Sequence, residues 1–271
     1  MEILVCGATG HIGRHLVDQL LADGHRVRAL TRTPHSADLP PGARRVQGDL
    51  TDASTLQEAF TGVDAVHLIT FGGDDGADLT TGPEIVDLAR RCGIDRATVL
   101  GGWSRTSVED ALSGSGITWT RLEPVEIMLN ALDWLDEIRE HRTVSAFAQW
   151  PSAMVHEADI ASVARCALTR DGHGGKTYRL TGPEALTPAQ RTRILAEATG
   201  LPLTHRQLNR AQERDRLAGH GFGDEYVEFG LRLATHPPDA ADKVLDTVAT
   251  VTGRSARTFA HWATEHARLF T

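Results

Sequence analysis

Glu2-Ile3-Leu4-Val5-Cys6-Gly7-Ala8-Thr9-Gly10-His11-Ile12-Gly13 is a β-prone apolar run that breaks into three glycines, each three residues after the last. From His11 to Ala22 the apolar residues Ile12, Leu16, Leu20 and Leu21 then fall at helical spacing, so the stretch predicts strand, tight turn, helix. Gly24 ends that helix and Arg26 to Leu30 alternates as a second strand, completing a βαβ unit within about thirty residues. A helical crossover is right-handed, which makes the two strands parallel neighbours.

In such a unit the first glycine permits the sharp turn, the second lets the backbone approach a pyrophosphate, and the third lets helix and strand pack closely. Amides at the helix N-terminus face the phosphates, helped by the positive end of the helix dipole. Gly7, Thr9, Gly10, His11, Ile12 and Gly13 are therefore the candidate phosphate-binding residues. Glycines also punctuate ordinary loops; these count because strand, turn, helix and second strand all stand where the mechanism needs them.

The end of the second strand separates the two nicotinamide coenzymes. A ribose 2′-hydroxyl is usually met by an acid there, whereas a 2′-phosphate needs a cation. This chain has Thr31-Arg32-Thr33 and no Asp or Glu before Asp38. Arg32 can fork onto a phosphate with a hydroxyl of Thr31 or Thr33 assisting, so the expected cofactor is NADPH/NADP.

The rhythm repeats along the first half: Arg45-Val46 as a strand, Ser54 to Phe60 as a helix, Ala65 to Thr70 as a strand and Pro83 to Cys92 as a helix. Ala97 to Leu100, a brief helix from Ser107 to Leu112, and Ile117 to Leu122 as a sixth strand follow. This alternation reads as an α/β fold, a doubly wound, Rossmann-like parallel sheet. After Pro124 the pattern changes to a long helix over Val125 to Glu140, short strands over Ser152 to Val155 and Thr177 to Leu180, and helices over Glu157 to Leu168 and Pro188 to Thr199. From Asn209 the chain reads as mostly helical. The expected division is a nucleotide-binding domain over 1–150 and a smaller, mostly helical C-terminal substrate lobe over 151–271, partly interwoven with the first.

Composition narrows the function classes. The 271 residues carry a net charge of −8, which offers no basic face for tracking nucleic acid. Cys6, Cys92 and Cys166 are too scattered for a disulfide framework or a zinc site, and no metal is expected. Met1 runs directly into Ile3-Leu4-Val5 without a basic leader, and no apolar run reaches the roughly eighteen residues of a membrane span. A cytoplasmic chain acting on a small molecule is the expectation. The helices at Val125 to Glu140 or Ser255 to Phe270 could pair two copies, and the oligomeric state stays open.

With these residues in hand, the chain resembles the NmrA-like branch of the atypical short-chain dehydrogenase/reductases. The resemblance rests on Gly7, Gly10 and Gly13, on Gly48-Asp49-Leu50, on Arg121-Leu122-Glu123-Pro124, on Val155-His156-Glu157-Ala158-Asp159-Ile160-Ala161 and on Tyr178-Arg179-Leu180-Thr181-Gly182-Pro183, and runs down to Arg257-Thr258-Phe259 and Trp262. It implies an adenine edge contact at Asp49 and Leu50. It further implies a nicotinamide passing Thr70-Phe71-Gly72, Gly101-Gly102-Trp103 and Glu123-Pro124-Val125. Glu123 departs from the family pattern, where arginine is usual before the proline; its carboxylate either contacts the cofactor amide or substrate, or is a surface charge.

Typical short-chain reductases protonate the nascent alkoxide with the Tyr of a Tyr-x-x-x-Lys pair. Here the only tyrosines are Tyr178 and Tyr226, the only lysines Lys176 and Lys243, and neither tyrosine has a lysine four positions on. Ser104, just past the fifth strand, is the first candidate for holding a carbonyl oxygen; its alternative is a helix N-cap, a role Ser107 could also fill. His156 is the second, since imidazole can deliver a proton near neutral pH, although a loop histidine before a helix is often structural. Trp103, Trp134, Trp150 and Phe147 with Met128 and Met154 could line an aromatic-friendly pocket or simply fill the core.

Hydride transfer itself needs only positioning against the nicotinamide. A quinone, or a ketone beside an acidic phenol, would delocalise or protonate its own product oxyanion. The leading expectation is thus an NADPH-dependent oxidoreductase acting on an activated carbonyl: a quinone reductase, or a ketoreductase of polycyclic aromatic or polyketide ketones as met in secondary metabolism. The alternative is an NADP(H)-sensing regulator without turnover, as some members of the resembling family are. An isomerase or epimerase reading lacks an identifiable acid/base pair.

Overall fold

The computed structural model describes residues 1–73, 76–102, 104–219, 223–237 and 240–271. Along the chain it places β1 (Glu2–Val5), α1 (His11–Ala22), β2 (Arg26–Thr31), β3 (Arg44–Gln47), α2 (Gln57–Phe60), β4 (Ala65–Ile69), β5 (Phe71–Gly72), β6 (Ala77–Asp78), α3 (Gly82–Arg91), β7 (Arg96–Leu100), α4 (Ser107–Leu112) and β8 (Thr118–Pro124). There follow α5 (Leu135–His141), β9 (Thr143–Ala146), α6 (Glu157–Thr169), β10 (Thr177–Leu180), α7 (Pro188–Thr199), β11 (Thr204–Gln207), α8 (Arg210–Gly219), α9 (Asp224–Thr235), α10 (Thr247–Thr252) and α11 (Phe259–His266).

Seven of these strands form one sheet in the order β10-β8-β7-β4-β1-β2-β3, and every neighbouring pair is parallel. The expected doubly wound α/β sheet is what the chain builds. Side chains alternate across a strand, so each face collects every second residue. Leu4, Val66, Leu68, Ala97 and Val99 turn to one face and pack with Phe60, Ile85, Leu88, Val108 and Leu112 from α2, α3 and α4. The alternate residues Ile3, Val5 and Ala65 are also buried, as are Leu16, Val17 and Leu20 of α1, which packs beside α6. A parallel sheet covered on both faces explains why its strands read as apolar runs.

Packing divides the chain into two units. The first comprises Met1–Pro124, Glu157–Leu180 and Thr247–Arg254; the second comprises Val125–His156, Thr181–Asp246 and Ser255–Thr271. The expected boundary at 150/151 falls inside one segment of the second unit. In that unit β9 and β11 pair in parallel, and Met128, Ile138, Val144, Met154, Leu195, Phe259, Trp262 and Phe270 form the core. Met128 and Met154 are thereby core residues, Trp134 packs against the same cluster, and the Trp150 indole donates to the Ala234 carbonyl at 3.0 Å.

Three readings of the elements are corrected. Val125 to Glu140 is not one helix: Met128–Trp134 is a 3-10 helix and only Leu135–His141 is α-helical. Tertiary pairing overrides the local propensity, because Met128 N donates to Val155 O at 3.0 Å and Val155 N to Glu126 O at 2.8 Å, which keeps Ile127 extended. Ser152 to Val155 makes only isolated bridges, Ser152 with Leu186 and Val155 with Ile127. The last expected helix, over Ser255 to Phe270, begins only after Thr258, whose hydroxyl accepts the His261 amide at 3.2 Å. Among the described residues no helix is long and apolar enough to cross a membrane.

Candidate active site

Because all seven strands run the same way, the loops after β1, β2, β3, β4, β7 and β8 emerge at one edge of the first unit. Strand order reverses between β1 and β4, and in open parallel sheets ligands bind outside the carboxyl ends at that point. The turn at Gly7 follows β1 and Thr70-Phe71-Gly72 follows β4, so the topology brings two of the sequence-selected segments to either side of the reversal.

The turn itself has the geometry a phosphate cradle needs. Gly7 has φ +68°, the left-handed region, and Gly10 N closes the turn onto Gly7 O at 2.9 Å. A Cβ on Gly13 would stand 2.0 Å from Gly7 O, so only glycine lets α1 start this close to β1. Gly10 caps α1 from an extended conformation and brings no side chain, and the first turn holds no acid. Thr9 and His11 are exposed beside it and Ile12 is half-buried. Donors without a competing carboxylate fit a pyrophosphate.

At the end of β2, Arg32 and Thr33 are exposed while Thr31 is buried, its Oγ1 accepting the Thr33 amide at 3.2 Å. Thr33 is thus the hydroxyl presented beside Arg32. Asp49, after β3, accepts the Thr51 amide at 2.9 Å and the Thr51 hydroxyl at 2.8 Å. The Thr51 amide above all, then the Thr51 hydroxyl and last the Arg32 charge, hold its carboxyl below the usual range against the opposing effect of burial. Leu50 is 7% exposed and packs in the first unit's core, and its carbonyl accepts the Thr81 hydroxyl. Sequence reasoning passed over Arg14, in the first turn of α1, whose guanidinium meets Asp38 at 2.9 Å.

The other half of the edge carries Thr70, Phe71, Gly72, Gly102, Ser104, Glu123 and Pro124. Thr70 is buried with its hydroxyl directed to Leu100 O at 3.3 Å, and Phe71 is 44% exposed on a β5–β6 hairpin that the sequence did not announce. Gly102 and Ser104 are exposed; Trp103 lies outside the described residues. The cap of α4 is neither Ser104 nor Ser107. Thr106 takes that place, its amide donating to Glu109 Oε2 at 2.7 Å. Ser107 instead accepts the Gly82 amide at 3.2 Å and donates to Leu79 O, tying α4 to the start of α3. Glu123 is neither a lone surface charge nor aimed outward unpaired: Arg121 takes Oε1 and Arg179, its cross-strand partner on β10, donates to Oε2 at 3.1 Å.

Comparison with known proteins bears on this edge. The family described as NAD(P)H-binding matches residues 7–104. The chain is 34% identical to the (4-alkanoyl-5-oxo-2,5-dihydrofuran-3-yl)methyl phosphate reductase of Streptomyces griseus, over 99% of each chain. It is 32% identical, again over 99% of each, to the NAD(P)H azoreductase of Xenophilus azovorans. The Escherichia coli NADPH-dependent quinone oxidoreductase QOR2, solved with NADPH, superposes with a TM-score of 0.78 at 22% identity, covering 98% of this chain and 99% of that one.

The chain belongs to the NmrA-like atypical short-chain dehydrogenase/reductases.

As such it is an NAD(P)H-binding oxidoreductase, and the cradle at Gly7–Gly13 with Arg32 beside it is the part of this reductase that would hold the dinucleotide. Among the described residues of the first unit, its one tyrosine and one lysine are not at this edge. Tyr178 and Lys176 stand toward the amino end of β10, and the Tyr178 hydroxyl is engaged with His173 Nδ1 at 2.7 Å. His156 lies in the second unit, 1% exposed, with Nε2 against Glu265 Oε2 at 2.9 Å. Val125 begins that same unit. The buried ring is thus tied to α11 through Glu265.

Proposed function

We propose that the protein is an NADPH-dependent reductase that passes hydride to an activated carbonyl, a quinone or a polycyclic aromatic ketone. The observation that carries the proposal is one sheet edge combining a phosphate cradle, an exposed Arg32 and an exposed Ser104, with the chain's tyrosine–lysine chemistry absent from that edge among the described residues. Bound NADPH supplies the hydride. Arg32 and Thr33 select the 2′-phosphate, the first-turn amides of α1 orient the pyrophosphate, and the Ser104 hydroxyl donates to the carbonyl oxygen. No protein acid of matched pKa is needed, because the product oxyanion is delocalised or takes its proton from a neighbouring phenol or from water. A relative named quinone oxidoreductase 2 in Escherichia coli, 25% identical over 84% of this chain, supports the quinone part of that range.

The test is NADPH consumption with a panel of quinones and phenol-bearing aryl ketones beside aliphatic ketones. Turnover is expected with the first two groups only, and Ser104→Ala should lower kcat about tenfold, the worth of one hydrogen bond to a developing charge. Tight NADPH binding with no consumption across the panel would instead favour the redox-sensor reading.

A further inference from the structure

The β7–α4 connection is held at both ends by one buried ion pair. Arg121, on β8, is 7% exposed and Glu109, in α4, is fully buried. Arg121 Nε donates to Glu109 Oε1 at 2.5 Å and Nη2 to the Gly102 carbonyl at 2.7 Å, while Nη1 engages Glu123. The other oxygen of Glu109 accepts the Thr106 amide at 2.7 Å and the Thr106 hydroxyl at 3.2 Å. The pair thus grips residue 102 with one member and residue 106 with the other, and Ser104 lies between the two grips. Gly101 completes the fit: a Cβ there would stand 2.7 Å from Arg121 Nε and 2.9 Å from Cζ, so the guanidinium lies flat against the loop backbone only because that residue is glycine.

Burying this guanidinium costs solvation, and apolar side chains of the same volume would hold β8 against α4 at least as firmly. What the ion pair adds is direction, since a planar fork and a carboxylate fix the carbonyl and the amide they bond. Burial works against the Arg121 charge, but its two carboxylates prevail and hold its pKa above the ordinary value.

We propose that Arg121, held by Glu109, is a positioning residue that sets the described residues 101, 102 and 104–106 against the nicotinamide end of the cofactor site. The inference rests on the reading that the nicotinamide lies along this part of the sheet edge.

Arg121→Lys and Glu109→Gln in the full chain test it, with three readouts: affinity for 2′,5′-ADP, emission of bound NADPH, and steady-state kinetics with a quinone that wild type reduces. Lysine keeps the charge and loses the fork. For both variants 2′,5′-ADP affinity should stay within about twofold of wild type, since the adenosine half binds elsewhere on the edge. Bound NADPH emission should move toward that of the free coenzyme, and kcat should fall about tenfold or more with little change in the NADPH KM. The double variant should be no worse than the poorer single one, as members of one unit do not add. Unchanged emission and kcat would overturn the proposal, and so would a parallel loss of 2′,5′-ADP binding, which would make the pair a general folding element. If wild type binds NADPH and reduces nothing, the reductase reading falls and the emission comparison alone decides this one.

Discussion

On the proposed reading a single guanidinium at the end of β2, that of Arg32, discriminates between the two coenzymes. Charge-assisted hydrogen bonds are worth about 1.5–3 kcal/mol, so Arg32→Ala should raise the NADPH KM roughly ten- to a hundredfold and leave the NADH constants within about twofold, as measured by steady-state kinetics with both coenzymes. The place of Arg32 at the end of β2 was legible because its neighbours along the chain decide it. Glu123 was not, because Arg121 is two residues away and Arg179 fifty-six residues away, brought alongside only when β10 adds itself to β8. His67 likewise reads as an ordinary strand histidine, yet on β4 it is buried against its cross-strand neighbour Thr98, with Nδ1 2.8 Å from Thr98 Oγ1. Burial lowers its pKa to about 4. The unfolded chain takes up that proton near 6.5, so His67's contribution is complete above 6.5 and is lost as pH falls toward 4; it amounts to about 3 kcal/mol. The Tm gap between wild type and His67→Asn should therefore narrow from about pH 7 to about pH 5.

At the scale of elements, the β1–α1 turn depends on two glycines for different reasons, and two variants separate them. In Gly13→Ala the new Cβ meets the Gly7 carbonyl at 2.0 Å, backbone against backbone, so α1 must shift off β1; the overpacking should cost about 1–3 kcal/mol of stability and weaken NADPH binding with it. In Gly10→Ala the nearest atom is the same carbonyl at 3.3 Å, so the fold should stand while the added methyl hinders the pyrophosphate. A melting curve and an NADPH titration on each variant check both statements. Apart from the β5–β6 hairpin, the elements of the first unit could be read from sequence since each strand–helix repeat is set by periodicity within a short window. The stretch 125–140 could not, because its opening residues are claimed by Val155 across the unit, a contact that no local pattern encodes.

On the whole-molecule scale the chain crosses between its two units several times, with Glu157–Leu180 and Thr247–Arg254 returning to the first. α6 and β10 therefore complete the nucleotide-binding sheet from the second half of the sequence, which a single boundary near 150 cannot express. A ligand that binds only the folded chain stabilises it by mass action, about 2.7 kcal/mol at a hundred times its Kd. NADPH should accordingly raise Tm more than NADH at equal concentration, and Arg32→Ala should abolish the difference. The central claim, hydride passed from NADPH to an activated carbonyl, is tested most directly with NADPH dideuterated at the nicotinamide C4 and a polycyclic aryl ketone, followed by mass spectrometry of the product. A carbinol carrying one deuterium on the former carbonyl carbon is the predicted result; a product free of label, or bound coenzyme with neither the ketones nor quinones reduced, would contradict it.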